Sequence, residues 1–310
     1  MIIRLIDKTL RKWVHLAMIS PYIQQLIMDV QVGVSREGLS ATKLAHFLIP
    51  MPPLAEQQRI VEKIEQMLPL VEQYGEAYTA LESLDARFPG DMRKSILQYA
   101  IQGKLVPQRP EEGTAEELYQ QIQKEKKKLI AAGKLKKEKP LPPISEEEIP
   151  FDIPDSWKWV RLGEVMALKS GQDLQPAQYN PKHAGIPYIT GASNITDEGK
   201  IILNRWTEAP KTIAEQGDIL LSCKGTIGKM AILSEKQVHI ARQIMAIRCI
   251  GVLPDYLMLF VETQIAQLKE KAKSFIPGIE RDTLRNLVMP LPPSKEQMRI
   301  AEAVRKPIFN

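Results

Sequence analysis

The chain has 310 residues, 44% of them hydrophobic and 25% charged, with a formal net charge of +5. That is the balance of a globular protein with length for about two domains, which excludes a disordered or low-complexity chain; the mild positive charge suits an acidic partner such as nucleic acid without requiring one. Two distant cysteines (Cys223, Cys249) and four scattered histidines (His15, His46, His183, His239) argue against a disulfide framework or a metal-ligand set.

Met1 to Lys8 lacks the long apolar core and small-residue cleavage site of a leader, and no later run approaches ~18 apolar residues. The expectation is a cytoplasmic protein with reduced thiols.

Residues 1–49 predict an amphipathic helix around Tyr22-Ile23-Gln24-Gln25-Leu26-Ile27. A turn punctuated by Gly33 and Gly38 and a short strand, Phe47-Leu48-Ile49, follow. Next comes Pro50-Met51-Pro52-Pro53-Leu54-Ala55-Glu56-Gln57-Gln58-Arg59-Ile60-Val61-Glu62. It returns 240 residues later as Pro290-Leu291-Pro292-Pro293-Ser294-Lys295-Glu296-Gln297-Met298-Arg299-Ile300-Ala301-Glu302, with Gly38 and Leu44 answered by Gly278 and Leu284. So long an offset lies outside the short periods of solenoids. It marks a duplicated junction at which a globular domain runs through Pro-x-Pro-Pro into a helix, and the first 49 residues read as the tail of such a domain.

Beyond Pro53 the apolar positions Ile60, Ile64, Met67, Val71, Tyr74, Tyr78 and Leu81 alternate spacings of four and three, the seam of a helix that pairs with another. An amphipathic helix lying on its own domain is the competing reading. Pro69 sits off the seam and predicts a kink without termination. Helix resumes at Met92 to Gly103, and another is expected from Thr114 into Lys128. In the second copy Ser294 and Gln297 are placed as a capping box. Residues 107–150 change to a Lys- and Pro-rich connector, Gly133 to Pro143, followed by Glu146-Glu147-Glu148, with the composition of a solvated linker. From 151 to 290 short β-like runs (Ile186 to Thr190, Asp218 to Leu221, Met230 to Leu233, Ile244 to Ile247) and the helical run from Asp255 predict an α+β fold. In that fold a strand-rich mixed domain is joined to a long coiled-coil helix.

Several motifs, taken in order, carry a resemblance: Trp157-Lys158-Trp159-Val160-Arg161-Leu162-Gly163-Glu164-Val165, Gly185-Ile186-Pro187-Tyr188-Ile189, Gly217-Asp218-Ile219-Leu220, Gly225-Thr226-Ile227-Gly228, then Pro-Leu-Pro-Pro. Together with Lys94 to Val106 they resemble the specificity subunit of Type I restriction-modification systems, in its C-terminal half or a truncated form. The resemblance implies a remnant of one target-recognition domain (1–49) and a central conserved helical region that spaces domains and docks methyltransferase (50–106). It further implies a complete target-recognition domain (151–290) and the start of a distal conserved helix (291–310).

The residues argue against catalysis within the chain. Asn180-Pro181-Lys182-His183 lacks the second proline and the stacking aromatic of an adenine-methylating loop. Pro254-Asp255 followed by Glu262-Thr263-Gln264 lacks a nuclease lysine, and Gly225 to Met230 lacks the spacing and the Ser/Thr of a phosphate loop. For DNA, Lys224, Lys229 and Arg242 flank Gly-rich or strand-end segments and Thr226 sits among the glycines; a plain β-turn accounts for Gly225 and Gly228 equally well. Gln172, Asn194 and Gln243 carry the paired donors and acceptors that read base edges, and Tyr188 and Thr190 are placed to line the same face. Trp157, Trp159 and Trp206 read as core, because duplex DNA hides its base faces.

The resulting expectation is a non-catalytic, sequence-specific DNA-recognition subunit that directs adenine methylation and restriction by partner subunits. S-adenosylmethionine, ATP and magnesium belong to those partners, and none is expected to bind here. Partners are double-stranded DNA, methyltransferase subunits, restriction subunits through the complex, and a second copy or another half-subunit through the helix seam. Two alternatives stand beside it: an inactive or recombination-donor fragment, and a free-standing dimeric DNA-binding regulator.

Overall fold

The structure is a computed structural model that describes residues 3–30, 38–271 and 278–306. The chain divides into two compact units, Met1–Pro89 and Gly90–Asn310.

The first unit holds α1 (Arg11–Ile19), α2 (Pro21–Val30), α3 (Ala41–Leu44) and the greater part of α4 (Leu54–Ile101). Pro21 opens α2, where its missing N–H would be unbonded in any case, and the expected helix around Tyr22–Ile27 is present. Gly33 lies outside the described residues. Ser40 caps α3 by accepting from the Lys43 N–H at 3.2 Å. Few side chains are buried: Ile23, Val61 and the polar Gln57. Trp13 donates its indole N–H to the Pro50 carbonyl at 2.9 Å.

Phe47-Leu48-Ile49 is not a strand. In the second copy Val288–Leu291 forms one because it pairs antiparallel with Lys158–Arg161, and a strand without a partner has no ladder to join. The break expected before Met92 is also absent, since α4 continues through both Pro69 and Pro89. Each proline removes one helical hydrogen bond at a cost of about 3 kcal/mol, and the Ala, Leu, Glu and Arg residues around them keep the remaining ladder favourable. Along α4, Ile60 and Ile64 are half-buried, whereas Met67, Val71, Tyr74, Tyr78 and Leu81 are exposed. Tyr74 and Tyr78 stack along the helix with ring centroids 6.2 Å apart. The outer seam therefore does not lie on its own unit.

The second unit is mixed α and β. Its strands in chain order are β1 (Lys158–Arg161), β2 (Met166–Ser170), β3 (Ile186–Ile189), β4 (Trp206–Thr207), β5 (Ile213–Glu215), β6 (Ile219–Ser222), β7 (Met230–Ile232), β8 (Gln237–Ile240), β9 (Ile244–Cys249) and β10 (Val288–Leu291). Around them lie α5 (Ala115–Ala131), α6 (Leu162–Val165), α7 (Pro254–Lys271), α8 (Arg281–Arg285) and α9 (Ser294–Arg305). Strands β1 and β10 form a ribbon, an antiparallel sheet runs β2-β9-β6-β7, and a mixed sheet runs β4-β3-β8-β5 with β3 and β8 parallel. β6 is buried throughout. Its alternation sends Ile219 and Leu221 into a core shared with α4, α5, α7 and α9, and Leu220 into a second core with Ala231, Ile240 and Ala246. No described helix is long and apolar enough to cross a membrane.

From residue 133 to 150 the connector has no buried residue, as expected of a solvated segment, but it is tied to the second unit at defined points. Leu118 and Ile122, four apart on α5, are buried in the main core beside Leu97, Ala100 and Ile101 of α4. Arg161, buried on β1, uses all five of its N–H groups. They reach both carboxylate oxygens of Glu148 (2.8 and 2.7 Å) and the carbonyls of Pro142 (3.2 Å), Pro143 (3.0 Å) and Asn286 (2.8 Å). Glu138 adds ion pairs to Arg281 and Arg285 at 3.0 and 3.1 Å. Proline carbonyls and acidic side chains, which looked like linker chemistry, serve as acceptors for buried arginines.

The repeated junction carries the same local bond in both copies. The Gln57 carboxamide donates to the Pro52 carbonyl at 2.7 Å, and that of Gln297 to Pro292 at 2.9 Å. Gln297 also accepts from the Leu253 N–H at 2.8 Å. It is therefore not half of a capping box, and Pro293 takes the N-cap position. The second junction is sealed further by buried Glu296, which accepts from the Trp157 indole at 2.9 Å and from the Gln108 carboxamide. Burial raises the Glu296 pKa.

Two outcomes are expected. Equivalent positions of the repeat differ in burial, Met51 being 53% exposed and Leu291 0%. Leu291→Ala should cost about 2–5 kcal/mol in urea unfolding, and Met51→Ala about 0.5 kcal/mol or less. Separately, the Arg161 guanidinium, followed by the Ser145 N–H, pulls Glu148 down to about 2. A depressed carboxylate stabilises the fold above its unfolded pKa of roughly 4.3 and loses that contribution as pH falls toward the folded value. The urea midpoint should therefore fall between about pH 5 and pH 2, and Glu148→Gln should flatten that decline.

Candidate nucleic-acid interface

Four loops of the second unit meet at one end of its sheets. They are Gly171–Leu174 after β2, Thr190–Asn194 after β3, the β6–β7 hairpin, and the β8–β9 turn at Ala241–Gln243. Main-chain bonds fasten them together. Gly171 and Gln172 donate N–H groups to Ile244 (3.1 Å) and Ile240 (2.9 Å), Ala241 donates to Ile189 (2.9 Å), and Cys223 donates to Gln243 (2.8 Å). The approach is close enough that a Cβ on Gly171 would lie 2.0 Å from the Ala241 carbonyl oxygen. His239 braces the first loop from beneath. Burial lowers its pKa; Nε2 lies 2.9 Å from the Gln172 carbonyl oxygen, and Nδ1 lies 2.9 Å from the Thr212 carbonyl oxygen and 3.2 Å from the Thr212 nitrogen.

The hairpin turns on Gly225 and Gly228, whose φ values of +72° and +98° favour glycine. Ser222 closes it, accepting from the Lys229 N–H at 2.8 Å. A Cβ on Gly228 would also meet Ile265 at 2.7 Å. Turn geometry thus accounts for both glycines.

Of the residues expected to face DNA, Gln172, Lys224, Thr226, Arg242 and Gln243 are exposed on this loop cluster. Tyr188 is instead buried. Its hydroxyl accepts from the Leu174 N–H at 3.3 Å, and its ring lies 5.5 Å from Tyr179 and 4.9 Å from His239. Asn194 is also buried, accepting from the Thr190 N–H (3.0 Å) and hydroxyl (2.9 Å) and donating to the Ile202 carbonyl (2.8 Å). Tyr188, Thr190 and Asn194 shape the loops rather than present base-reading groups. Lys229 turns aside to the Ile195 carbonyl and Asp197, both at 3.1 Å. Asn180 folds its own loop, accepting from the N–H groups of Lys182 and Ala184, and Glu262 is paired with Arg93 at 2.7 Å. Trp157 and Trp206 are buried, and Trp159 is half-buried against Phe151 at 5.1 Å.

Sequence reasoning overlooked exposed Asp173 and Ser193 as parts of this face. The place of Asp173 two residues beyond Gly171 was the available signal. The face can supply hydrogen bonds of both senses from Gln172, Thr226 and Gln243, with cationic reach from Lys224 and Arg242.

The family model for the Type I restriction modification DNA specificity domain matches residues 2–73 and 154–306, more than half of the chain. The Type I restriction enzyme EcoAI specificity subunit of Escherichia coli is 29% identical over 263 residues, covering 80% of this chain and 44% of that protein. The EcoEI specificity subunit of the same organism is 28% identical over 270 residues, covering 81% and 45%. The chain spans about half the length of the curated relatives it matches. Among solved structures, the HsdS subunit from Thermoanaerobacter tengcongensis aligns with TM-score 0.46 and 22% identity, covering 94% of this chain and 61% of that one.

Two glycine substitutions test how the loops are held. In Gly171→Ala the new methyl meets main-chain atoms that cannot move aside; it should destabilise the second unit by about 1–3 kcal/mol. In Gly191→Ala the methyl meets only the mobile end of the Gln243 side chain, at 2.3 Å, so stability should change by about 0.5 kcal/mol or less. Thermal unfolding of both variants beside the parent provides the measurement.

Proposed function

The chain belongs to the Type I restriction-modification DNA specificity family, and on that footing we propose that it selects duplex DNA sequence for partner subunits that methylate adenine and cut. The observation that carries the reading is the loop cluster itself. Loops following four different strands are bonded main chain to main chain, and they leave Gln172, Lys224, Thr226, Arg242 and Gln243 outward. Phosphate contacts would fix register and side-chain contacts to base edges would choose sequence. Lys224, which has no ion pair among the described residues, is assigned to phosphate.

The partners in this reading are double-stranded DNA, methyltransferase subunits docked on the 50–106 region, and restriction subunits recruited through the complex. Those subunits bring S-adenosylmethionine, ATP and magnesium. Residues 1–49 are assigned to the tail of a first recognition domain and 291–310 to the start of a distal helix. One recognition face alone holds DNA weakly, so the reading includes self-association or pairing with another half-subunit. The exposed seam Met67, Val71, Tyr74, Tyr78, Leu81 supports that part. A two-fold pair would read an interrupted palindrome, because protein symmetry is mirrored in the half-sites.

Co-expression with the cognate methyltransferase, followed by mapping of modified adenines, tests the proposal. A new modified motif and stable co-purification are expected. Lys224→Ala should weaken binding to all sequences alike and reduce the salt slope of log K by about 1. Tight specific binding without any methyltransferase, and no capture of one, would favour the free-standing regulator; no modification and no DNA binding would leave the inactive fragment.

A further inference from the structure

We propose that Arg242 reads a guanine in the recognised half-site and that Asp173 is the positioning residue that aims it; this rests on the DNA-recognition reading above. The two carboxylate oxygens of Asp173 divide their work. Oδ1 accepts from the backbone N–H of Arg242 at 3.1 Å, and Oδ2 faces its Nε at 2.7 Å. The guanidinium is thus gripped through Nε, and its two terminal nitrogens have no partner among the described residues. Those two nitrogens form the fork that matches O6 and N7 of guanine in the major groove.

The support beneath Asp173 is rigid. Its neighbours are bonded on both sides, Gly171 and Gln172 to the β8–β9 turn and Leu174 to the Tyr188 hydroxyl. Arg242 itself sits in that turn, between Ala241 bonded to Ile189 and Gln243 bonded to Cys223. Donor fork and carboxylate brace therefore come from two loops that are tied main chain to main chain, which preorganises the fork.

Charge separates this role from phosphate binding. A phosphate anchor gains from an unopposed cation, whose binding releases counterions. The carboxylate beside Arg242 offsets most of that charge while leaving the directional N–H groups in place. Nor is the pair explained by fold stability, since both side chains are largely exposed, at 70% and 45%, and exposed ion pairs contribute little. Lys224 nearby carries no such offset. The face thus divides labour, with lysine on the backbone and arginine on a base.

The test is selection of binding sites from a random duplex library with the full chain, alone and with its methyltransferase. The parent should enrich a motif containing guanine at a position that depends on Arg242. Arg242→Lys keeps the charge and loses the fork; it should lower the preference for guanine at that one position about ten- to a hundredfold, leaving other positions and the salt slope unchanged. Asp173→Asn should relax the same position and steepen the salt dependence by freeing the arginine charge. If Arg242→Lys retains the full motif, or Arg242→Ala weakens all sequences equally with a smaller salt slope, arginine is a phosphate anchor and the inference falls while the recognition reading stands. If the parent enriches nothing under either condition, both fall together.

Discussion

Trp157 and Glu296 form the contact on which the second unit is assembled. An indole N–H meets a carboxylate taken out of water, 2.9 Å apart, with Gln108 as the other donor. Burying a carboxylate is unfavourable unless hydrogen bonds replace its hydration, and the raised pKa of Glu296 records the burial. The three residues come from the entry to β1, the segment after α4 and the first turn of α9. One acidic side chain therefore fixes where the ribbon, the rod end and the junction helix converge. Arg161, at the far end of β1, does the same for the connector through five donors.

That convergence gives the repeat its meaning. The two junctions share Pro-x-Pro-Pro, the glutamine-to-proline carbonyl bond and the following helix, yet only the second is sealed. Glu296, Arg299 and Ile300 meet Trp157, Glu112 and the main core, while Glu56 and Arg59 are exposed and Ile60 is half-buried. Gln57 even buries an oxygen that has no hydrogen-bond partner among the described residues, where Gln297 has the Leu253 N–H. Similar sequence with unequal burial indicates that the motif itself supplies the local turn and helix start, while sealing depends on what packs upon it.

Much of this was legible in the chain. The 240-residue repeat predicted paired junctions; the four-three spacing predicted a helix seam; the apolar run at Ile219 predicted a strand. What escaped depended on long-range partners. Phe47 to Ile49 has strand composition and no ladder; Pro89 and Gly90 look like a break, and the ladder on either side carries the helix across. The anchoring of the connector was not legible because proline carbonyls as ligands for Arg161 leave no periodic trace. Tyr188 and Asn194 have the chemistry of readers, and only their neighbours Leu174, His239 and Ile202 show that they are spent on holding loops. The exposed members of the face were legible because turn and strand-end positions are where outward polar side chains belong.

The bonds between the clustered loops join backbone N–H and carbonyl groups, which every residue carries except that proline lacks the N–H. Substitution at Gln172, Arg242 or Gln243 leaves those bonds intact, so the outward chemistry can drift while the scaffold is inherited unchanged. In the proposed reading, single substitutions at those outward positions would change which bases are preferred without disturbing the scaffold, whereas Gly171, wedged against the Ala241 carbonyl, tolerates no side chain.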